Sequence, residues 1–309
     1  MTETPVRIAC LGEAMVELSG LDTEAGTLAF GVAGDTLNTA IYLKRALGQG
    51  ARVAYLTALG DDAFSDRMVA AMQEEGLDTS AVARLPGRLP GIYAINVDER
   101  GERTFSYWRS EAAARSMLSP GALDPEALGG FDLLFLSGIT LAILPPEARM
   151  KLIGQCSWLK AMGKTIAFDT NYRPRLWDSE DTARAAFSMM WDATTIALPS
   201  RDDEAKLHHG ESVADLFERL GRKGIREIAL KDGAMGPHLW AEGRALPRGD
   251  YAPAPRVVDT TAAGDGFNAG YLAARVGGRG VEEAAQAGHA IASRIIGTRG
   301  AILPRDTTL

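Results

Sequence analysis

Short apolar runs recur along the chain: VRIACLG (6–12), ARVAYLTALG (51–60), FDLLFLSG (131–138), KTIAFDT (164–170), ATTIALPS (193–200) and EIALKDG (227–233). Runs this short and this continuously apolar predict strands buried on both faces. Between them, TLNTAIYLKRAL (36–47), AFSDRMVAAMQEEG (63–76) and PEARMKLIGQCSWLKAMG (146–163) carry apolar residues at helical spacing. Strand and helix in alternation predict a parallel sheet covered on both faces, an α/β fold. No Pro/Ser-rich linker, low-complexity tract or repeat interrupts the rhythm, so residues 1–309 are expected to form a single domain.

One segment departs from that rhythm. LPGIYAINVDERGERTFSYWR (89–109) alternates like an antiparallel hairpin turning near Glu99–Arg100–Gly101. Alternation places Phe105, Tyr107 and Arg109 on one face, while Trp108 points the other way and is expected to pack. Two readings stay open here. The segment is either an edge hairpin with its aromatics on the core, or a small sheet laid over a pocket for a polar organic ligand.

Lys and Arg total 33 against 40 Asp and Glu, a net charge of −7, which argues against nucleic acid or an anionic membrane as partner. An anionic ligand would therefore need locally placed arginines. Cys10 and Cys156 stand in apolar runs without a paired spacing and read as buried reduced thiols. The start MTETPVRIACLGE lacks the basic beginning and long apolar core of a signal peptide, and no apolar run reaches the ~18 residues of a membrane span. A cytoplasmic protein is expected. The adjacent His208 and His209 do not face a common point on a helix and read as surface residues rather than a metal site.

Chemistry is expected at the carboxyl ends of the strands, where loops converge in an open parallel sheet. Those ends are polar: Asn171-Tyr172-Arg173 after one strand, Ser200 to Glu204 after another, Gly233 and Gly236 after a third. Near the end of the chain stands VVDTTAAGDGFNAG (257–270), read as a strand closing at Val257-Val258, a turn of small residues and the start of a helix. Small residues let a ligand approach the backbone, and the free N–H groups of a helix start favour negative charge. Asp265 is then either a helix-start residue gaining from that field, or a base receiving a hydroxyl proton beside an anion hole. GGRG (277–280) follows a helix and reads as its stop, not as a phosphate loop.

The stretch Asp259-Thr260-Thr261-Ala262-Ala263-Gly264-Asp265 resembles the D-T-x-G-A-G-D signature of the ribokinase-like (PfkB) carbohydrate kinases. Gly34-Asp35 followed by Asn38 resembles a second family element. Within the family the chain is most similar to kinases of 2-keto-3-deoxygluconate, sharing GDTLNTA (34–40), YLTALG (55–60), RLPGIY (88–93), GERTFSYWRSEAAA (101–114), SGITLAIL (137–144), NYRPRLW (171–177) and RGAILPR (299–305). The resemblance implies a ribokinase-like three-layer α/β/α fold, with a mostly parallel central sheet and a small β-sheet lid from roughly 14–32 and 89–111. It implies ATP-dependent phosphorylation of 2-keto-3-deoxygluconate at its terminal hydroxyl. Alternatives are another sugar acid such as 2-keto-3-deoxygalactonate, a ketose such as fructose, or a sugar sensor without activity.

By the same resemblance, Gly34, Asp35 and Asn38 hold sugar hydroxyls, and Tyr93, Tyr107 and Arg109 reach down from the lid. Arg173 approaches substrate and transferring phosphate. Asp265 is the base, and the amides of Ala262, Ala263 and Gly264 form the anion hole. Asn171, Lys231, Gly233 and Gly236 border ATP, and Glu204 organises Mg²⁺ through water. A monovalent cation such as K⁺ near Asp259 and Thr261, and a homo-oligomer, are further expectations. The residues themselves favour an acidic sugar, because Arg109 and Arg173 offer forked, charge-assisted donors to a carboxylate. Two departures stand out: Ala262 replaces the first glycine of the signature, and Arg201 replaces the asparagine of the family's N-x-x-E element.

Overall fold

A computed structural model describes residues 5–22, 25–97 and 103–309. The chain opens with β1 (Val6–Leu11), β2 (Met15–Asp22), β3 (Thr27–Ala33) and α1 (Asp35–Leu47). Strands β4 (Ala51–Leu56) and β5 (Ala58–Leu59), α2 (Ala63–Glu74), β6 (Ala83–Arg84), β7 (Gly91–Val97) and β8 (Arg103–Trp108) follow. The middle comprises β9 (Leu133–Ser137), α3 (Gly138–Ile143), α4 (Pro146–Ala161), β10 (Thr165–Asp169), α5 (Glu180–Asp192), β11 (Ile196–Ala197), α6 (Arg201–Leu207) and α7 (Val213–Gly221). Last come β12 (Glu227–Leu230), β13 (His238–Ala241), β14 (Arg244–Ala245), α8 (Ala263–Val276) and α9 (Val281–Ile295).

The large sheet runs β14-β13-β12-β11-β10-β9-β1-β4, parallel from β12 to β4 and antiparallel at the β13 and β14 edge. Its strands are apolar on both faces because each face is covered by helices. Leu11, Leu136 and Phe168 face one layer with Leu152 of α4, Phe187 of α5 and Leu220 of α7. Cys10, Phe135 and Ala167, one position along, face the other with Leu37 of α1, Met68 of α2, Leu272 of α8 and Ile291 of α9. Phe168 lies edge-on to Trp191 at 4.8 Å and to Phe187 at 5.8 Å between ring centres. Truncating such a residue to alanine costs about 3–5 kcal/mol.

The sheet reverses its direction of growth at β1, which has β4 on one side and β9 on the other. A crevice opens outside the carboxyl ends at such a reversal. Gly12 and Glu13 follow β1 and Ser137 ends β9, so these residues stand where the two halves part.

A second sheet, β3-β2-β7-β8, covers this end of the molecule. Tyr93 pairs with Tyr107 and Ile95 with Phe105 in its hairpin, and Tyr93 ring centres lie 5.9 Å from Tyr107 and 6.3 Å from Phe105. The aromatics therefore share one face. Met15, Ala33, Tyr93 and Ile95 on that face pack against Ala301, with Ala262 and Ile302 beside them. The expected turn near Glu99–Arg100–Gly101 lies outside the described residues.

Three local expectations are corrected. Trp108 is 60% exposed and so does not pack as expected. No strand closes at Val257-Val258: the segment is an irregular connection held by the Val258 and Asp259 amides on the Ile296 carbonyl, with Val257 exposed. The strand expected over 193–200 is regular at Ile196–Ala197, with a separate bridge from Ser200 to Lys231. The expected stop at 277–280 is present, with α8 ending at Val276 and Gly278 at φ 79°.

Candidate active site

Helix α8 starts from a turn of unusual backbone. Ala262, its N-cap, has φ 61° and ψ 10°, the left-handed region that glycine enters without strain. For alanine this costs about 1 kcal/mol. Thus the departure from the family glycine leaves a strained alanine at the very head of the helix. The N–H groups of the first turn have no intrahelical acceptor. That of Ala263 reaches the Thr260 carbonyl only at 3.3 Å. Gly264 and Asp265 follow in the first turn, and Lys231 Nζ lies 3.7 Å from where a Cβ on Gly264 would stand.

Asp265 is partly buried. Asn38, on α1, donates from Nδ2 to its Oδ2 at 2.8 Å. Burial, and then the neighbouring Asp35 carboxylate, push the Asp265 carboxyl up to about 8, against the Asn38 hydrogen bond. Asp169 adds to the rise and Lys231 opposes it. A carboxyl in this setting is poised as a proton acceptor near neutral to mildly alkaline pH.

Asp35 joins the two halves of the sheet. Its Oδ2 accepts from Ser137 Oγ at 2.5 Å and from Asn171 Nδ2 at 2.7 Å. Gly34 before it has no room for a side chain: a Cβ there would stand 2.3 Å from the Glu13 carbonyl. Asn171 itself sits at φ 32°, turned by the bond from its amide to Asp169 Oδ1. Asp169 Oδ2 in turn accepts from Lys231 Nζ and Asn268 Nδ2, each at 2.6 Å. Lys231 is therefore held under the head of α8 by β10 and α8 together.

Opposite stands the aromatic face of the small sheet. Arg109 donates from Nη2 to Oε2 of Glu13, and the pair is buried, with Glu13 at 1% and Arg109 at 12% side-chain exposure. Burial pushes the Glu13 carboxyl above its ordinary range despite the guanidinium beside it. Glu13 Oε1 and Arg109 Nε are both buried without a partner among the described residues. An unsatisfied donor of this kind is costly, and it leaves Arg109 able to accept a further anionic partner. Tyr107, half exposed, carries the Arg109 guanidinium 6.0 Å from its ring centre. Tyr93 is buried and gives its hydroxyl to Glu17, so burial and that carboxylate both raise its pKa.

The structure thus brings Gly34, Asp35, Asn38, Asn171, Lys231, Ala262, Ala263, Gly264 and Asp265 to one end of the sheet. Tyr93, Tyr107 and Arg109 share the overlying face. Arg173 is further out: half exposed, bonded to the Tyr172 carbonyl at 3.2 Å and 3.9 Å from Asp203. Gly233 and Gly236 shape the turn after β12 with positive φ, and a Cβ on Gly236 would collide with the Tyr251 ring at 2.3 Å. Glu204 is buried, and Oε1 accepts from Thr170 at 2.6 Å and Oε2 from Arg219 at 2.7 Å, so each oxygen already carries one partner. Arg201, the other departure, pairs instead with Asp232 at 2.9 Å. Sequence reasoning missed Glu13, Ser137 and Asp169. Ser137 and Asp169 end buried strands and Glu13 stands two residues past one, and that position was the available signal.

Among the described residues no helix is long and apolar enough to cross a membrane. The profile of the pfkB family carbohydrate kinases matches residues 6–308. A 2-dehydro-3-deoxygluconokinase of Escherichia coli (strain K12) is 45% identical over 97% of this chain and 98% of its own. Another protein of that name, from Dickeya dadantii (strain 3937), is 44% identical over 98% of each chain. Among solved structures, a PfkB protein from Polaromonas sp. JS666 superposes with a TM-score of 0.82 at 26% identity, over 95% of this chain and 96% of that one. With the three-layer sheet, the small covering sheet and the Asp265 turn already in place, these matches show that the chain belongs to the pfkB family of carbohydrate kinases.

Proposed function

We propose that this kinase transfers the γ-phosphoryl group of ATP to the terminal hydroxyl of 2-keto-3-deoxygluconate. The observation that carries the reading is Asp265: a partly buried carboxyl with a raised pKa, held by Asn38 at the open head of α8. As base it takes the hydroxyl proton while the first-turn amides receive charge on the phosphoryl oxygens. The acid-sugar choice is supported by Arg109, whose buried Nε lacks a partner among the described residues, and by the naming of the E. coli and D. dadantii relatives.

In this reading the chain is one kinase domain with the four-stranded sheet as its lid. Gly34, Asp35 and Asn38 hold sugar hydroxyls, and Tyr93, Tyr107 and Arg109 close over the acid end. Arg173 swings in from its exposed position when substrate and phosphate arrive. Asn171, Lys231, Gly233 and Gly236 border the nucleotide. Mg²⁺ would arrive on the ATP phosphates, where it neutralises charge; Glu204, with one bond on each oxygen, would reach it only through water. A monovalent cation near Asp259 and Thr261 meets a competitor in Arg103. The outer lid face, with Leu28 48%, Phe30 40% and Trp108 60% exposed, suits a second copy of the chain, supporting a homo-oligomer. Cys10 and Cys156, both buried and unpaired, suit a reducing cytoplasm.

A substrate panel with coupled ADP detection tests the reading. The expected result is a kcat/KM for 2-keto-3-deoxygluconate well above those for its galactonate epimer and for fructose. Preference for fructose would assign a neutral ketose instead, and no ADP release with any sugar would leave a sensor.

A further inference from the structure

One contact between lid and sheet plays no part in the steps above. Arg103, the first residue of β8, places Nη1 2.5 Å from Asp259 Oδ2 and 3.4 Å from Thr261 Oγ1. The pair is largely shielded, with side-chain exposure of 4% for Asp259 and 23% for Arg103. Asp259 shapes the turn that leads into α8. Its Oδ1 accepts from the Thr261 amide at 3.1 Å, and its Oδ2 from the Gly300 amide at 2.7 Å. Burial alone would raise its carboxyl, but the bonds from Thr261, Gly300 and Arg103 prevail and hold it below the usual range.

This arrangement does not fit a monovalent cation. A carboxylate has about four acceptor sites, and N–H donors already take three of them on Asp259. A hard cation needs a shell of oxygens, whereas here its nearest neighbour would be a guanidinium, a fixed like charge. The counter-charge that Asp259 requires is already present, and it comes from the lid.

Resting on the kinase reading above, we propose that Arg103 is a positioning residue that takes the place of a monovalent cation at the Asp259–Thr261 turn. Its guanidinium, carried by β8, fixes Asp259, and Asp259 fixes the turn from which Ala262, Ala263 and Gly264 present their amides. The charge reaches the turn only while β8 lies over it, so the shape of the anion hole depends on the lid without any ion from solution.

The test compares the full chain in potassium chloride and in tetramethylammonium chloride at equal ionic strength. Wild-type kcat is expected to agree within about twofold between the salts. Stimulation by potassium of more than about fivefold, indicating a specific site, would overturn the proposal. In tetramethylammonium, Arg103→Ala is expected to lose about 10- to 100-fold in kcat, as orienting groups do, and to recover most of it with potassium or methylguanidinium. Arg103→Lys should need less rescue. An Arg103→Ala enzyme at full rate, or a loss that neither cation repairs, counts against the proposal. Thermal unfolding gives a reading free of turnover. Potassium should raise the Tm of Arg103→Ala but not of wild type, and a potassium-specific rise in wild type contradicts the assignment. If wild type phosphorylates no sugar acid in either salt, the kinase reading fails, and the Tm comparison still decides the role of Arg103.

Discussion

At the head of α8, Asp265 is bonded to Asn38, Lys231 is bonded to Asp169 and Asn268, and Asp259 spans Thr261 and Gly300. Across the gap, Arg109 and Tyr107 project from a four-stranded sheet, and Arg109 is held by the Glu13 carboxylate while its Nε has no partner among the described residues. The first region is cross-linked by several short bonds among helices α1 and α8, the strand ends and the loops beside them. The second is tied down through Glu13, through Arg103 on Asp259 and by packing on Ala301, yet keeps a donor in reserve. A site that must meet a developing charge gains from groups fixed in advance, whereas a site that must admit and then enclose a substrate needs one side that can move. The sheet end is therefore assigned to chemistry and the lid to recognition.

Substitutions should separate the two regions along kcat and KM. The largest effect is expected for Asp265→Asn: kcat lower by about 10³-fold or more, with sugar affinity retained, checked by steady-state kinetics and calorimetry. Loss of binding with intact kcat would reverse the assignment. Glu13→Ala should come next, destabilising the fold by about 3–5 kcal/mol because it strands a buried guanidinium; denaturant titration measures it. Arg109→Ala should raise KM for the acid sugar by about 30- to 150-fold, the worth of a charge-assisted pair, and change kcat less. An unchanged KM would remove the carboxylate clamp.

Smaller effects sharpen the contrast further. Because the folded-state pKa of Asp265 is raised, the unfolded chain ionises first, so its penalty builds as pH rises from about 4 to about 8. Asp265→Asn should therefore be the more stable protein at pH 8, by on the order of 1–2 kcal/mol, with little difference below pH 4. Ala262→Gly should relieve the left-handed strain at the head of α8 and alter stability by less than about 1 kcal/mol. Thermal melts resolve both.

The layered fold was legible because its signal is local: an apolar run covered on both faces shows itself within six or seven residues, as in β1 and β9. The hairpin was legible for the same reason, since Phe105, Tyr107 and Arg109 share a face by alternation alone, whereas Tyr93 joins them through a register that only the structure shows. What escaped depends on distant partners. Glu13 meets Arg109 across 96 positions and Asp259 meets Arg103 across 156, and nothing near either residue announces the pairing. Glu204 was singled out by a spacing that matched a family element, while its bonds with Thr170 and Arg219, which come from elsewhere in the chain, left no local signal. Trp108 was misread because alternation tells which face a residue occupies and not whether that face is covered.

The most direct test of the base assignment is kcat/KM for 2-keto-3-deoxygluconate against pH in wild type and in Asp265→Asn. A base must be deprotonated to act, so wild-type kcat/KM is expected to rise with pH through about 8 and then level, while the residual activity of Asp265→Asn lacks that step. The same step in both proteins would show that some other group accepts the proton.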